Sequence, residues 1–157
     1  MRIVDPAGFF ANFPHLSLNV QVTSSATVKY NCMAWAAGDH RRCWWPSPYT
    51  YWPPGVPQRA TLDPFRQAFG TLGYATAEGP DVEPNKEKVA IYALADVPTH
   101  AARQLSNGKW TSKCGQNVDV EHDLHDLEGP CYGQVAVMLE RGNVTAQQGA
   151  RLKRVKQ

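Results

Sequence analysis

Val89-Ala90-Ile91-Tyr92-Ala93-Leu94, then Thr99-His100-Ala101-Ala102-Arg103-Gln104-Leu105-Ser106-Asn107-Gly108-Lys109-Trp110-Thr111-Ser112-Lys113-Cys114, is the stretch that decides the fold. Val89–Leu94, Thr99–Leu105 and Lys109–Cys114 read as strands, free of internal Gly and Pro and bounded by turn residues. Asn107-Gly108 is the strongest short hairpin signal in the chain, because both residues tolerate positive φ. With Gln134–Leu139 as a fourth strand, the second half is expected to form a small antiparallel sheet. The polar, Pro-containing segment 78–88 leads into it.

Upstream, residues 12–30 show no sustained period and are expected to be an irregular arm ending in a short extended stretch, Ala26–Tyr30. Cys32-Met33-Ala34-Trp35-Ala36-Ala37 predicts a short buried helix, with Gly38 suited to its C-terminal cap. Residues 44–57 carry five prolines among five aromatics, which excludes helix or central strand and predicts a stiff aromatic loop. Thr61 then precedes a helix in which Phe65, Phe69 and Leu72 fall on one face, and Gly73 follows its end.

The chain has 157 residues, of which 43% are hydrophobic and 19% charged, which suits one globular domain spanning 1–157 with a real core. Sixteen Lys and Arg against 14 Asp and Glu leave a charge of only +2, so a nucleic-acid partner is not expected. The basic residues Arg151, Lys153, Arg154 and Lys156 fall in a tail, 142–157, expected to be solvated. Asp5, Pro6 and Gly8 interrupt the N-terminal apolar residues, so neither a signal peptide nor a membrane span is expected. A cytoplasmic location follows, or export by a route without a cleavable signal; the Asn143-Val144-Thr145 sequon therefore carries no weight. Cys32, Cys43, Cys114 and Cys131 include no Cys-x-x-Cys pair and read as free thiols.

A thiol is nucleophilic as thiolate, and a cysteine at a helix start gains from the local positive potential and from a nearby histidine. Cys32 opens the predicted helix, and His100 is the one histidine that this reading puts on a strand. The blocks Tyr30-Asn31-Cys32-Met33-Ala34-Trp35-Ala36, Val89–Tyr92 and Thr99–Ser112 resemble the papain-like cysteine peptidase core in its minimal NlpC/P60 and CHAP form, over roughly residues 28 to 140. They are also similar to an uncharacterised bacterial family with Asn-Cys-x-Ala-Trp-Ala and Thr-His-Ala-Ala-Arg blocks, a domain of unknown function.

The resemblance implies an α+β, papain-like fold: the Cys32 helix packed on the antiparallel sheet, with 44–88 as an aromatic and helical insertion. It implies Cys32 as nucleophile, His100 as base and Ser112 as the residue that orients the imidazole. Asp119 is the alternative third residue, and Thr111, Lys113 and Glu121 are further substitutes. Tyr30 or Asn31 is expected to help the Cys32 backbone N–H bind an oxyanion, although Asn31 equally suits the helix N-cap. Trp44, Trp45 and Trp52 are expected either to wall a substrate cleft or to form a lid over the core.

The expected activity is hydrolysis of an amide or isopeptide bond in a peptide or other amide-containing substrate. Deamidation and acyl transfer use the same dyad, and an inactive papain-like binding module is the rival reading. Asp119, Glu121, His122, Asp123, His125 and Asp126 crowd one segment, but their spacing matches no metal motif; a solvated turn before Gly129-Pro130 is expected, with no metal and no cofactor. Oligomeric state is not specified by any of these features.

Overall fold

The computed structural model describes residues 2–142; the basic tail and the sequon at 143 lie outside them, as does Met1. Helix α1 (Pro6–Asn12) starts at Asp5, whose side chain accepts from the Gly8 N–H, with Pro6 in the first turn. Strand β1 is Gln21–Ser24. Helix α2 (Cys32–Ala37) is capped by Asn31 and closed by Gly38 at φ 83°. Helix α3 is Leu62–Gly70, preceded by Thr61. Strands β2 (Ala75–Thr76), β3 (Lys86–Leu94), β4 (Val97–Gln104), β5 (Trp110–Lys113), β6 (Asp119–His122) and β7 (Gln134–Gly142) follow.

The strands form one seven-stranded sheet in the order β1-β6-β5-β4-β3-β7-β2, antiparallel at every pairing. The architecture is thus a mixed α/β fold with an open antiparallel sheet and few helices. No helix among the described residues is long and apolar enough to cross a membrane.

Alternation along the strands divides the interior into two cores. Val89, Ile91, Ala101, Val137 and Leu139 face α2, α3, Trp44 and Trp52. Ala90, Tyr92, Ala102, Trp110, Val118 and Val120 face Phe9, Phe13, Leu16, Leu124, Leu127 and Tyr132. The two expected helices are present, the second ending at Gly70 rather than reaching Leu72, and so are the four expected strands, each within a few residues of its expected bounds.

Four features differ from the sequence reading. The extended piece before Cys32 is β1 at Gln21–Ser24, not Ala26–Tyr30; it exists because β6 offers it an edge. Helix α1 was not expected, and the signal for it is the Asp5-Pro6 start with Phe9 and Phe13 four apart. The acidic segment is a solvated turn only in its second part, where Asp123 and His125 are exposed, whereas Asp119 and His122 are buried within β6. Finally, Asn107-Gly108 does make a turn, but only Gly108 takes positive φ, at 87°. The chain returns through Leu105 N–H to the Lys109 carbonyl at 2.7 Å, closing a three-residue loop. The two-residue turn with both φ positive is Ala95-Asp96, at 49° and 65°, which joins β3 to β4. Alanine gives no sequence warning of that conformation.

Candidate functional site

Strand β4 places His100 opposite Tyr92 of β3. The pairing of β3 slips near Tyr92 against both β4 and β7, and such irregularities re-aim side chains next to functional sites. His100 is wholly buried. Tyr132 stacks flat on its imidazole, with ring centres 4.1 Å apart, and Tyr92 meets it edge-on at 5.2 Å. The Tyr132 carbonyl accepts from the Thr99 hydroxyl at 2.6 Å, which ties the covering segment to the start of β4.

One nitrogen of the ring is engaged and the other is not. His100 Nε2 lies 2.9 Å from Ser112 Oγ on β5. The same oxygen lies 2.6 Å from His122 Nε2 on β6, and His122 Nδ1 lies 2.7 Å from the Asp123 carbonyl. His100 Nδ1 is buried without a hydrogen-bond partner among the described residues. Three adjacent strands therefore contribute one residue each to a His100–Ser112–His122 chain.

His122 escaped the sequence reading because its segment looked solvated by charge. The signal that finds it is Val118, Val120 and His122 at spacing two, which puts the histidine on the inward face. Burial is the main cause that holds both imidazoles below the usual histidine range, His100 well below it. His122's charge adds to the shift at His100. At His122 the Asp123 carbonyl and the carboxylates of Asp126, Asp123 and Glu121 oppose the shift.

This has a consequence for stability. Folded pKa values below the unfolded value of about 6.5 mean that the unfolded chain binds more protons, so stability is full above that pH and falls below it. Each histidine contributes at most about 1.4 kcal/mol per pH unit. Denaturant midpoints taken from pH 7.5 down to 5 should fall more steeply for the native chain than for His122→Gln; parallel curves would contradict the burial argument.

Cys32 comes to the site from the other core. β5 pairs with β4 only at Arg103 and Gln104, so the first part of β4 lies beyond that ladder, and α2 packs there. The sulfur faces the backbone N–H of Ala101, the residue after His100. Burial pushes the Cys32 thiol up to about 11, although the N–H groups of Ala101, Met33 and Cys32 and the Lys113 ammonium favour the thiolate. The expected lowering at a helix start is thus overturned, because desolvation of a 9% exposed thiol outweighs the potential of a six-residue helix. No hydrogen bond joins Cys32 to His100, whose Nδ1 stands unpartnered. Cys32 lines a cavity of about 290 Å³ with Tyr30, Asn31, Cys43, Thr99 and Tyr132, and His100 lies behind the Tyr132 ring that stacks on it. A larger depression of about 650 Å³, over Val82–Glu87 and Arg103–Ser106, holds no cysteine or histidine.

The other expected site residues have structural roles. The Asn31 Oδ1 accepts from the N–H groups of Ala34 at 3.1 Å and Trp44 at 3.0 Å, and its Nδ2 donates to the Trp44 carbonyl at 2.7 Å. Its side chain is an N-cap and a staple, not a free oxyanion donor. The Tyr30 hydroxyl donates its one proton to Asp119 Oδ2 at 2.8 Å, and burial and that carboxyl push the phenol up to about 12. Asp119 therefore serves Tyr30, and Ser112 holds the place beside His100.

Thr111 accepts from the Trp35 indole, Lys113 donates to the Asn117 carbonyl, and Glu121 accepts from Asn107. Trp44 and Trp52 are buried, their indole N–H groups bonded to Asp39 and to the Pro57 carbonyl, and Trp45 packs on Phe65. None of the three lines the Cys32 cavity. They cover α3 instead, because the three indole rings are worth more against Phe65 and Phe69 than in solvent, while Tyr49 of the same loop stays exposed. Among the described residues no group of three or more His, Cys, Asp and Glu side chains is placed to hold a metal.

The fold and site define a mixed α/β protein with an open antiparallel sheet, a cysteine-lined cavity and a buried histidine–serine–histidine chain beside it. The chain belongs to the family described as Domain of unknown function (DUF7689), matched over residues 21–140. No curated protein and no solved structure matches it.

Proposed function

We propose that the protein is a thiol hydrolase of papain-like, NlpC/P60-type arrangement that cleaves an amide or isopeptide bond. The observation that carries this reading is the state of His100: Nε2 anchored by Ser112, Nδ1 buried and unpartnered among the described residues, and the ring stacked under Tyr132, which lines the same cavity as Cys32. An imidazole so fixed is a general base with its one free lone pair already oriented.

The raised Cys32 and lowered His100 make the resting pair neutral, so the thiolate forms as it attacks. His100 Nδ1 takes the thiol proton while the sulfur bonds to the substrate carbonyl carbon. The proton held at His100 Nδ1 then passes to the departing amine, leaving a thioester on Cys32. Water attacks the thioester, giving up a proton to His100, and the acid product leaves with Cys32 restored as thiol. Deamidation and acyl transfer follow the same course with a primary amide or with a second nucleophile in place of water.

Alkylation by a small electrophile, followed residue by residue by mass spectrometry, tests the dyad. Cys32 should lose about 100-fold in rate in His100→Ala, in line with the contribution of a positioned base, while exposed Cys131 should be unaffected. An unchanged Cys32 rate would remove the enzyme reading. A second reading, a binding module on the same scaffold, is favoured by the burial of Cys32 and the Tyr132 ring across His100. Slow labelling of Cys32 that ignores His100 is its signature.

A further inference from the structure

We propose that Ser112 relays a proton between the two imidazoles, so that when His100 Nδ1 accepts a proton the positive charge comes to rest on His122. This rests on the reading of His100 as the base, and it makes His122 a positioning residue that acts through Ser112.

The hydrogen-bond polarity of the resting chain follows from one acceptor. The Asp123 carbonyl can only accept, so His122 Nδ1, 2.7 Å away, carries a hydrogen. In the neutral ring Nε2 is then the acceptor, and Ser112 must donate its single proton to it across 2.6 Å. With that proton committed, Ser112 Oγ accepts from His100 Nε2–H at 2.9 Å. The lone pair of His100 is thereby fixed on Nδ1, the buried atom without a partner.

The same chain runs in reverse when a proton arrives. As Nδ1 takes it up, the Nε2 proton passes to Ser112 Oγ and the serine proton passes to His122 Nε2. One proton has entered, and Ser112 is again a neutral hydroxyl. His100 is neutral with its hydrogen on Nδ1, and His122 is an imidazolium that donates to Ser112 and to the Asp123 carbonyl.

The charged groups around the two rings favour that end state. His122 is flanked by Glu121 on its own strand, by Asp123 just after it and by Asp126 from the Leu124–Leu127 turn. Lys109 of the preceding loop pairs with Asp123 at 3.0 Å and offsets part of this. His100, from β4, faces Tyr92 and Tyr132, and the one charged group shifting it is His122 itself. A cation is therefore better solvated at His122 than at His100, which has no carboxylate of its own.

Two-bond 15N–1H spectra of the full chain, labelled at histidine and followed from pH 8 down to the onset of acid unfolding, test the relay directly. On acidification His122 should become protonated at both nitrogens while His100 stays neutral and moves its hydrogen from Nε2 to Nδ1. In Ser112→Ala the His100 hydrogen should no longer move in step with His122. The relay is overturned if His100 itself becomes the imidazolium, if it keeps its Nε2 hydrogen while His122 titrates, or if neither ring takes up a proton before unfolding.

Alkylation of Cys32 supplies the second measurement. His122→Gln keeps an acceptor for Ser112 but cannot hold charge, so the rate should fall about tenfold at neutral pH and its acid limb should move to lower pH. A role in packing alone would lower the rate without moving the limb. If alkylation depends on His100 and yet the spectra show no exchange, the relay fails and the hydrolase reading stands. If the exchange occurs but alkylation ignores His100, the hydrolase reading fails.

Discussion

Alanine at Cys32 is expected to abolish turnover altogether and to leave the protein folded. The sulfur supplies the only bond that the proposed reaction makes to the acyl group, so no neighbouring side chain compensates for it. Tyr30 has given its proton to Asp119, and Cys43, which shares the cavity wall, lies outside α2. Because the change is small and the site is already apolar, stability should shift by no more than about 1 kcal/mol. The check is intact mass after incubation with an acylating amide or ester: the native chain should gain the acyl group at Cys32, and Cys32→Ala should gain none. Acylation of the alanine variant at a second residue, with turnover retained, would move the nucleophile elsewhere.

Gly133→Ala is the substitution with the largest expected effect on stability. Gly133 sits at φ 73°, and a Cβ there would run into the Ala93 carbonyl, which is main chain and cannot swing away. The left-handed conformation costs an L-residue about 1–2 kcal/mol, and forcing a side chain into packed backbone about 1–3 more. A loss of about 3 kcal/mol is therefore expected, read as a lower denaturant midpoint.

Gly55→Ala is the control: its φ is 84°, but open space surrounds the new carbon, so only the conformational part should appear. Equal losses at the two positions would show that the Ala93 contact relaxes freely. The Gly133 change should reach the site as well. Gly129 and Gly133 exchange hydrogen bonds at 3.0 and 2.8 Å to form the turn that lays Tyr132 on His100. Electrophile labelling of Cys32 should accordingly change in Gly133→Ala and stay native in Gly55→Ala.

Much of this fold could be read along the chain, because the deciding forces are local there. Asn31 before an Ala-rich run and Gly38 after it set α2, since the cap and the left-handed turn are satisfied within a few residues. Phe65 and Phe69 put one face of α3 inward, and the aliphatic run at Val89 made β3 legible. The placement of Cys32 at a helix start and of His100 on a strand was legible for the same reason.

What the chain by itself determined is this set of helices and strands, the cysteine at the start of one and the histidine on another. Only the tertiary structure decided what surrounds them. Residues 100, 112 and 122 form one hydrogen-bonded chain because the β4–β5 and β5–β6 registers align them, and register is set by long-range packing rather than by neighbours in sequence. Asp119 and His122 are buried despite their polarity because β1 and β5 take up β6 from both sides, so that its polar side chains find Tyr30 and Ser112. The Cys32 thiol is raised, not lowered, because desolvation depends on everything packed around the sulfur, which a short helix start cannot outweigh.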